Sequence, residues 1–214
     1  MSLVKRLSGY VKGSLAAICL ASAMGLEGKL YSKDIYVPRD YQTIQAAIDA
    51  AEDGDRVLVA PGEYVVNEPI SYRGKDIVLK SEEGAEETII CMRNPIDFHH
   101  ARIFVFENGE TINAILEGFT ITKGTSPHEG GGIYCKESSP TIRYNIIVEN
   151  NADSGGGIAC IEADPLIMYN IISENIAGSE GGGIYCQDSQ AIICLLYTSP
   201  SPRDLSTSRM PSSA

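Results

Sequence analysis

From Gly130 onward the apolar positions recur with a period too long for one helix and too regular for loops. GGGIYCKESSPTIRYNIIVENNADS spans 130–154, GGGIACIEADPLIMYNIISENIAGSE spans 155–180, and GGGIYCQDSQAII spans 181–193. The spacing is 25 and then 26 residues, which marks a repeat architecture. Within each GGGI segment, the isoleucine and cysteine alternate with Tyr134, Ala159 or Tyr185, as a half-buried strand requires. A second short strand is predicted at PTIRYN and a third at NIIVEN. Three short strands per repeat, with Gly, Ser-Pro and Asn at the corners, describe one coil of a β-solenoid. A lone coil cannot bury its apolar face. Stacked coils can, each strand pairing with its equivalent about 4.8 Å away.

The recurring positions then acquire physical roles. Ile133, Ile158 and Ile184 are expected to form one interior column, and Cys135, Cys160 and Cys186 a second beside it. Ile142 with Ile167, and Ile147 with Ile172, supply two more. The triplets Gly130, Gly131, Gly132; Gly155, Gly156, Gly157; and Gly181, Gly182, Gly183 turn the chain where a side chain would clash or φ must be positive. Asn145 and Asn170, and Asn150 and Asn175, fall at corners. Asparagine tolerates left-handed backbone there, and its amide can bond to the asparagines above and below.

Upstream the pattern loosens but continues. Strands are predicted at RVLVA (56–60), DIVLK (76–80), ETIIC (87–91) and RIFVF (102–106), with turns at Pro61-Gly62 and Gly74-Lys75. Before them, YQTIQAAIDAAEDGD reads as a short amphipathic helix. Thr43 caps it, Ile44, Ala47, Ile48 and Ala51 share a face, and Asp53-Gly54 ends it. Such a helix would cover the open interior of the first coil and shield its strand edge.

Composition supports an all-β, turn-rich chain: 21 Gly and no Trp in 214 residues. The formal net charge of −11 argues against a nucleic-acid partner. Residues 1–23 read as a signal peptide, with Lys5, Arg6 and Lys12 before an apolar stretch at 14–23 and a small-residue site at Ala21-Ser22-Ala23. The alternative is a buried N-terminal helix. The apolar stretch is short for a membrane span, so none is expected once the signal is removed. An exported, bacterial chain is expected, with 24–42 as a lead-in and 43–193 as the β-helix. Export permits disulfides. Residues stacked in register point in parallel, however, so the cysteine column reads first as buried apolar packing.

These residues resemble the right-handed parallel β-helix proteins of the pectin-lyase-like type, over roughly Ile35 to Ile193. The segment TIQAAIDAAEDGDRVLVAPGEY is similar to their entry segment, and GGGIYCKESSPTIRYNIIVENNA to their repeating coil. The resemblance implies the fold and a polysaccharide or cell-surface glycan as partner. It implies no particular activity. Lyases of that type use calcium-binding carboxylates and a base, and hydrolases use paired carboxylates. No such motif stands out among Glu82, Glu83, Glu86, Glu87, Glu137, Glu149, Glu162, Asp164, Glu174, Glu180 and Asp188, so catalytic residues stay unassigned. No cofactor is evident. The stacked Glu149 and Glu174 leave calcium as the one candidate ion. His99-His100 reads as a surface loop. Tyr134, Tyr144, Tyr169 and Tyr185 either face outward to stack on sugars or pack beneath loops. A weaker similarity to surface adhesins and autotransporter passengers leaves a structural or adhesive module open.

The text changes after Ile193. CLLYTSPSPRDLSTSRMPSSA (194–214) departs from the repeat, with Leu196 where an asparagine belongs. Its words can be back-translated, in order and frame, into a sequence resembling a transposase mosaic end followed by library adapters. The segment is therefore expected to be a non-native tail on a β-helix cut in mid-coil. Between residues 24 and 193 there are 12 basic and 27 acidic residues, a net charge of −15.

Overall fold

A computed structural model describes residues 32–97, 101–194 and 196–198. The signal-peptide segment, His99-His100 and residues 199–214 lie outside the described residues. The chain forms a parallel β-solenoid of about six turns with one short helix. Its strands fall into four sheets in which every pairing between named strands is parallel.

Sheet A has seven strands, at Asp34–Val37, Arg56–Val59, Val78–Ser81, Ile115–Glu117, Thr141–Arg143, Leu166–Met168 and Ile192–Cys194. Sheet B has six, from Gly62–Val66 through Thr88–Met92, Thr120–Thr122, Ile146–Val148 and Ile171–Ser173 to Tyr197–Thr198. Sheet C has five, from Ile70–Ser71 through Phe104–Phe106, Ile133–Lys136 and Ile158–Ile161 to Ile184–Gln187. A fourth sheet, D, joins Thr125–Glu129, Asn151–Ser154 and Ile176–Glu180. The glycine-triplet coils thus have four strands rather than three. NADS and IAGSE hide the extra one, because only Ala152 and Ser154 of the former are buried and neither is large.

Two further boundaries differ from the expected ones. Asp34–Val37 falls in the segment read as a lead-in, yet it pairs along its whole length with Arg56–Val59. At the other end, the backbone keeps register past Ile193. Cys194 pairs with Met168, and Tyr197–Thr198 with Ile171–Ile172. Backbone pairing is indifferent to side-chain identity, so it persists where the sequence repeat stops. Cys194 accordingly sits on an outward column, not with the other cysteines.

The core is a set of columns along the stack. Ile35, Val57, Leu79, Leu116, Ile142 and Ile167 run down sheet A, all at most 1% exposed. In sheet C, Phe104, Ile133, Ile158 and Ile184 form one column and Phe106, Cys135, Cys160 and Cys186 the next. The helix, Ile44–Ala50, buries Ile44, Ala47 and Ile48 against the first strands of the stack, and the Thr43 hydroxyl accepts a hydrogen bond from the Ala46 amide.

Each glycine-triplet coil is cornered by single residues in left-handed backbone. Gly130, Gly155 and Gly181 lead from sheet D to sheet C with φ of 69°, 66° and 62°. Glu137, Glu162 and Asp188 leave sheet C at 50°, 50° and 51°. Tyr144 and Tyr169 leave sheet A at 56°, and Glu149 and Glu174 leave sheet B at 56° and 57°. The left-handed residue is therefore the one before each asparagine, not the asparagine itself. Only the first glycine of each triplet needs positive φ; in the first two triplets the others need closeness. A Cβ on Gly156 would lie 2.3 Å from the Ile176 carbonyl oxygen.

Candidate functional site

The asparagine corners are internal. Asn145, Asn150, Asn170 and Asn175 are all buried. Asn145 Oδ1 accepts from the Phe119 amide at 3.0 Å, and its Nδ2 donates to Leu116 O and to Asn170 Oδ1. Asn150 bonds in the same way to Gly124, Ile121 and Asn175. These side chains serve the backbone and have no surface to offer a ligand.

The cysteine column is likewise internal, and its thiols are free. Cys135 and Cys160 are buried, while Cys186 is exposed in the last coil. The hydrogen bond to Cys135 pushes the Cys160 thiol well above its ordinary range, with burial adding to it. The bond to Cys160 does the same for Cys186, again reinforced by burial. Thiols held protonated are poor nucleophiles and poor metal ligands. Among the described residues, no group of three or more His, Cys, Asp or Glu side chains is placed to hold a metal ion.

The four repeat tyrosines divide into two kinds. Tyr134 is buried on the outer side of sheet C, with the Arg102 guanidinium 4.2 Å from its ring centre. Ala159 is buried between it and Tyr185 in the same column. Burial lowers the pKa of Arg102, whose Nε donates to Glu129 O. This cluster is packing. Tyr144 and Tyr169 stand at the corner between sheets A and B, 51% and 43% exposed. Their rings stack with centroids 5.0 Å apart and planes 4° from parallel. Neither hydroxyl bonds to any described residue. Beside them on sheet B, the outward Ile146 and Ile171 pair in register, the latter 40% exposed.

One coil above Tyr144 the equivalent corner residue is Gly118, also left-handed at φ 81°. It has no side chain, so the upper face of the Tyr144 ring is not covered from that position. A loop at 82–87 lies directly on Gly118: a Cβ there would meet Ser81 Cβ at 3.4 Å and Gly84 Cα at 3.6 Å. The loop is held by Ser81, whose hydroxyl meets Thr88 Oγ1 at 2.6 Å and the Gly84 amide at 2.9 Å, and by Thr120 Oγ1 donating to Ala85 O.

A charged column borders the corner on sheet A. Lys80 Nζ and Arg143 both contact Glu117, at 2.7 Å each. Burial raises the Glu117 carboxyl, but the hydrogen bonds from Lys80 and Arg143 outweigh it and hold the group below its usual range. Glu117 is an ion-pair anchor, not a proton donor. A shallow depression beside the starts of the strands at 78–81 and 115–117 is lined by Asp53, Asp76 and Asn113. Its carboxylates are engaged, Asp53 by the Asp76 amide and Asp76 by the amide and hydroxyl of Thr111.

The sequence reading named Tyr144 and Tyr169 with both orientations open but missed Gly118, although the offset of 26 residues that aligns Phe119 with Asn145 also aligns Gly118 with Tyr144. A scan against protein-family models, a search of curated proteins and a search of solved structures each found no match.

Proposed function

We propose that the chain is an exported, right-handed β-helix module of the pectin-lyase-like kind that holds polysaccharide against the corner between sheets A and B. The exposed, mutually stacked Tyr144 and Tyr169 carry this reading. Bulky aromatic residues rarely occupy left-handed backbone, which costs roughly 1–2 kcal/mol per residue. Both tyrosines accept that cost and are turned toward water in successive coils. Sugars present apolar C–H faces and hydroxyl rims. An aromatic face, two phenol hydroxyls without a partner among the described residues and the neighbouring Ile146 and Ile171 suit both.

The test is affinity electrophoresis of the full chain in gels carrying soluble polysaccharides. At least one polysaccharide should retard the protein. The double variant Tyr144→Asn, Tyr169→Asn should lose about tenfold or more in affinity while keeping the same circular dichroism, because asparagine accepts the backbone conformation. Retardation by none, or equal retardation of the variant, overturns the proposal.

A further inference from the structure

Tyr144 and Tyr169 are the one pair of tyrosines among the described residues whose rings stack. Each is the left-handed corner residue between sheets A and B, at φ 56°, in successive coils. Coils in register set their Cα atoms about 4.8 Å apart. Both corners are held. The Tyr144 amide donates to Met168 O at 3.4 Å and the Tyr169 amide to Cys194 O at 3.3 Å, and Asn145 donates through its backbone and side-chain nitrogens to Asn170 Oδ1. The rings are open to solvent, 51% and 43% exposed, and neither hydroxyl has a partner among the described residues. Other tyrosines lack such a neighbour. Ala159 separates Tyr134 from Tyr185, and the hydroxyls of Tyr64 and Tyr72 are bonded to Ala60 O and Ile115 O. The chain has no tryptophan to compete for an oxidant.

We infer that Tyr144 and Tyr169 are a modification site at which a one-electron oxidant, a peroxidase supplied with hydrogen peroxide, joins successive coils through a dityrosine. Each phenol gives one electron and one proton to the oxidant, and one hydrogen peroxide becomes two waters. The two phenoxyl radicals form a carbon–carbon bond between the ring positions beside their hydroxyls. Each of those carbons then loses its hydrogen while each oxygen regains one, which restores both phenols. The parallel rings have to turn about their side-chain bonds to bring these edges together, and their exposure leaves room for it. Proximity decides which partner each radical meets. Groups held this close have an effective concentration of about millimolar or more, roughly a hundredfold above that of a ~10 μM protein solution. The product is a covalent rung between coils, in a chain whose described cysteines are all free.

The experiment oxidises the full chain with a haem peroxidase and hydrogen peroxide at two protein concentrations about tenfold apart. Accessible thiols are alkylated first, because they quench phenoxyl radicals. Dityrosine fluorescence should rise while the protein stays monomeric on a denaturing gel. Peptide mapping should find the segment holding Tyr144 joined to that holding Tyr169, with the loss of two hydrogens. The yield should not depend on protein concentration. Tyr144→Phe and Tyr169→Phe, which keep the stacked rings, should retain the circular dichroism and each lower the dityrosine of the monomer by about tenfold or more. Dityrosine found only in cross-linked dimers, an undiminished yield in either variant, or no dityrosine at all overturns the inference.

Discussion

Asn145 pairs two backbone groups of the coil above that the corner would otherwise bury unmet: the Phe119 amide and the Leu116 carbonyl. An unpaired buried polar group costs about 1–3 kcal/mol. Asn145→Ala should therefore lower stability by about 2–4 kcal/mol, read as a fall in the urea midpoint with an unchanged slope. A loss under about 1 kcal/mol would mean that water replaces the amide. The spacing of Asn145 and Asn170 was legible because their role recurs at a fixed offset. Their backbone was not. Hydrogen bonding to the neighbouring coil, not local preference, fixes each asparagine, and the strain falls on the tyrosine or glutamate before it. A single sequence carries no sign of that displacement, since neither tyrosine nor glutamate favours left-handed backbone.

At the scale of the element, the strands that could be read are those with inward branched residues in a short apolar run, such as Arg56–Val59 and Ile146–Val148. Gly62–Val66 and Asn151–Ser154 escaped because no run of inward apolar residues marks them: the former is half-exposed, and the latter turns only Ala152 and Ser154 inward. At the aromatic corner Tyr144 and Tyr169 were legible as candidates to face outward, but Gly118 above them was not, since the repeat is clear only from Gly130 onward. The glycine triplets were visible, but their division of labour was not. Gly156 has ordinary φ yet faces two carbonyls, at 2.3 Å from Ile176 O and 2.8 Å from Gly182 O for an added Cβ. Gly156→Ala should cost at least about 3 kcal/mol in denaturant melts, since rigid backbone must move. Gly178→Ala is tight only against the flexible Asp153 carboxylate, at 3.0 Å, with Asp153 backbone at ordinary contact distance, and should change stability by less than about 1 kcal/mol. Similar costs at both sites would show that the stack yields more readily than its spacing implies.

Across the whole molecule, every coil touches only its neighbours, so stability propagates along one dimension. The first coil is closed by the helix, whose Ile44, Ala47 and Ile48 are buried. The last described coil has no such cover. Ile158 is fully buried, but its partner Ile184 is only half-buried, and Ile193 is 42% exposed although it continues the column of Ile142 and Ile167. Leu196 stands where an asparagine would pair the Asn170 amide, so the hydrogen-bonded column stops there too. Amide hydrogen exchange reports opening free energy segment by segment. Protection should be highest around Leu79, Leu116 and Ile147 and should fall by steps through Ile158–Ile161 to Ile184–Gln187 and Ile192–Cys194. A stack held by neighbour contacts opens from the end with fewest of them. Uniform protection out to Cys194, measured at a concentration where the chain is monomeric, would contradict this. It would mean that the last coil draws its stability from something other than the columns that build the rest.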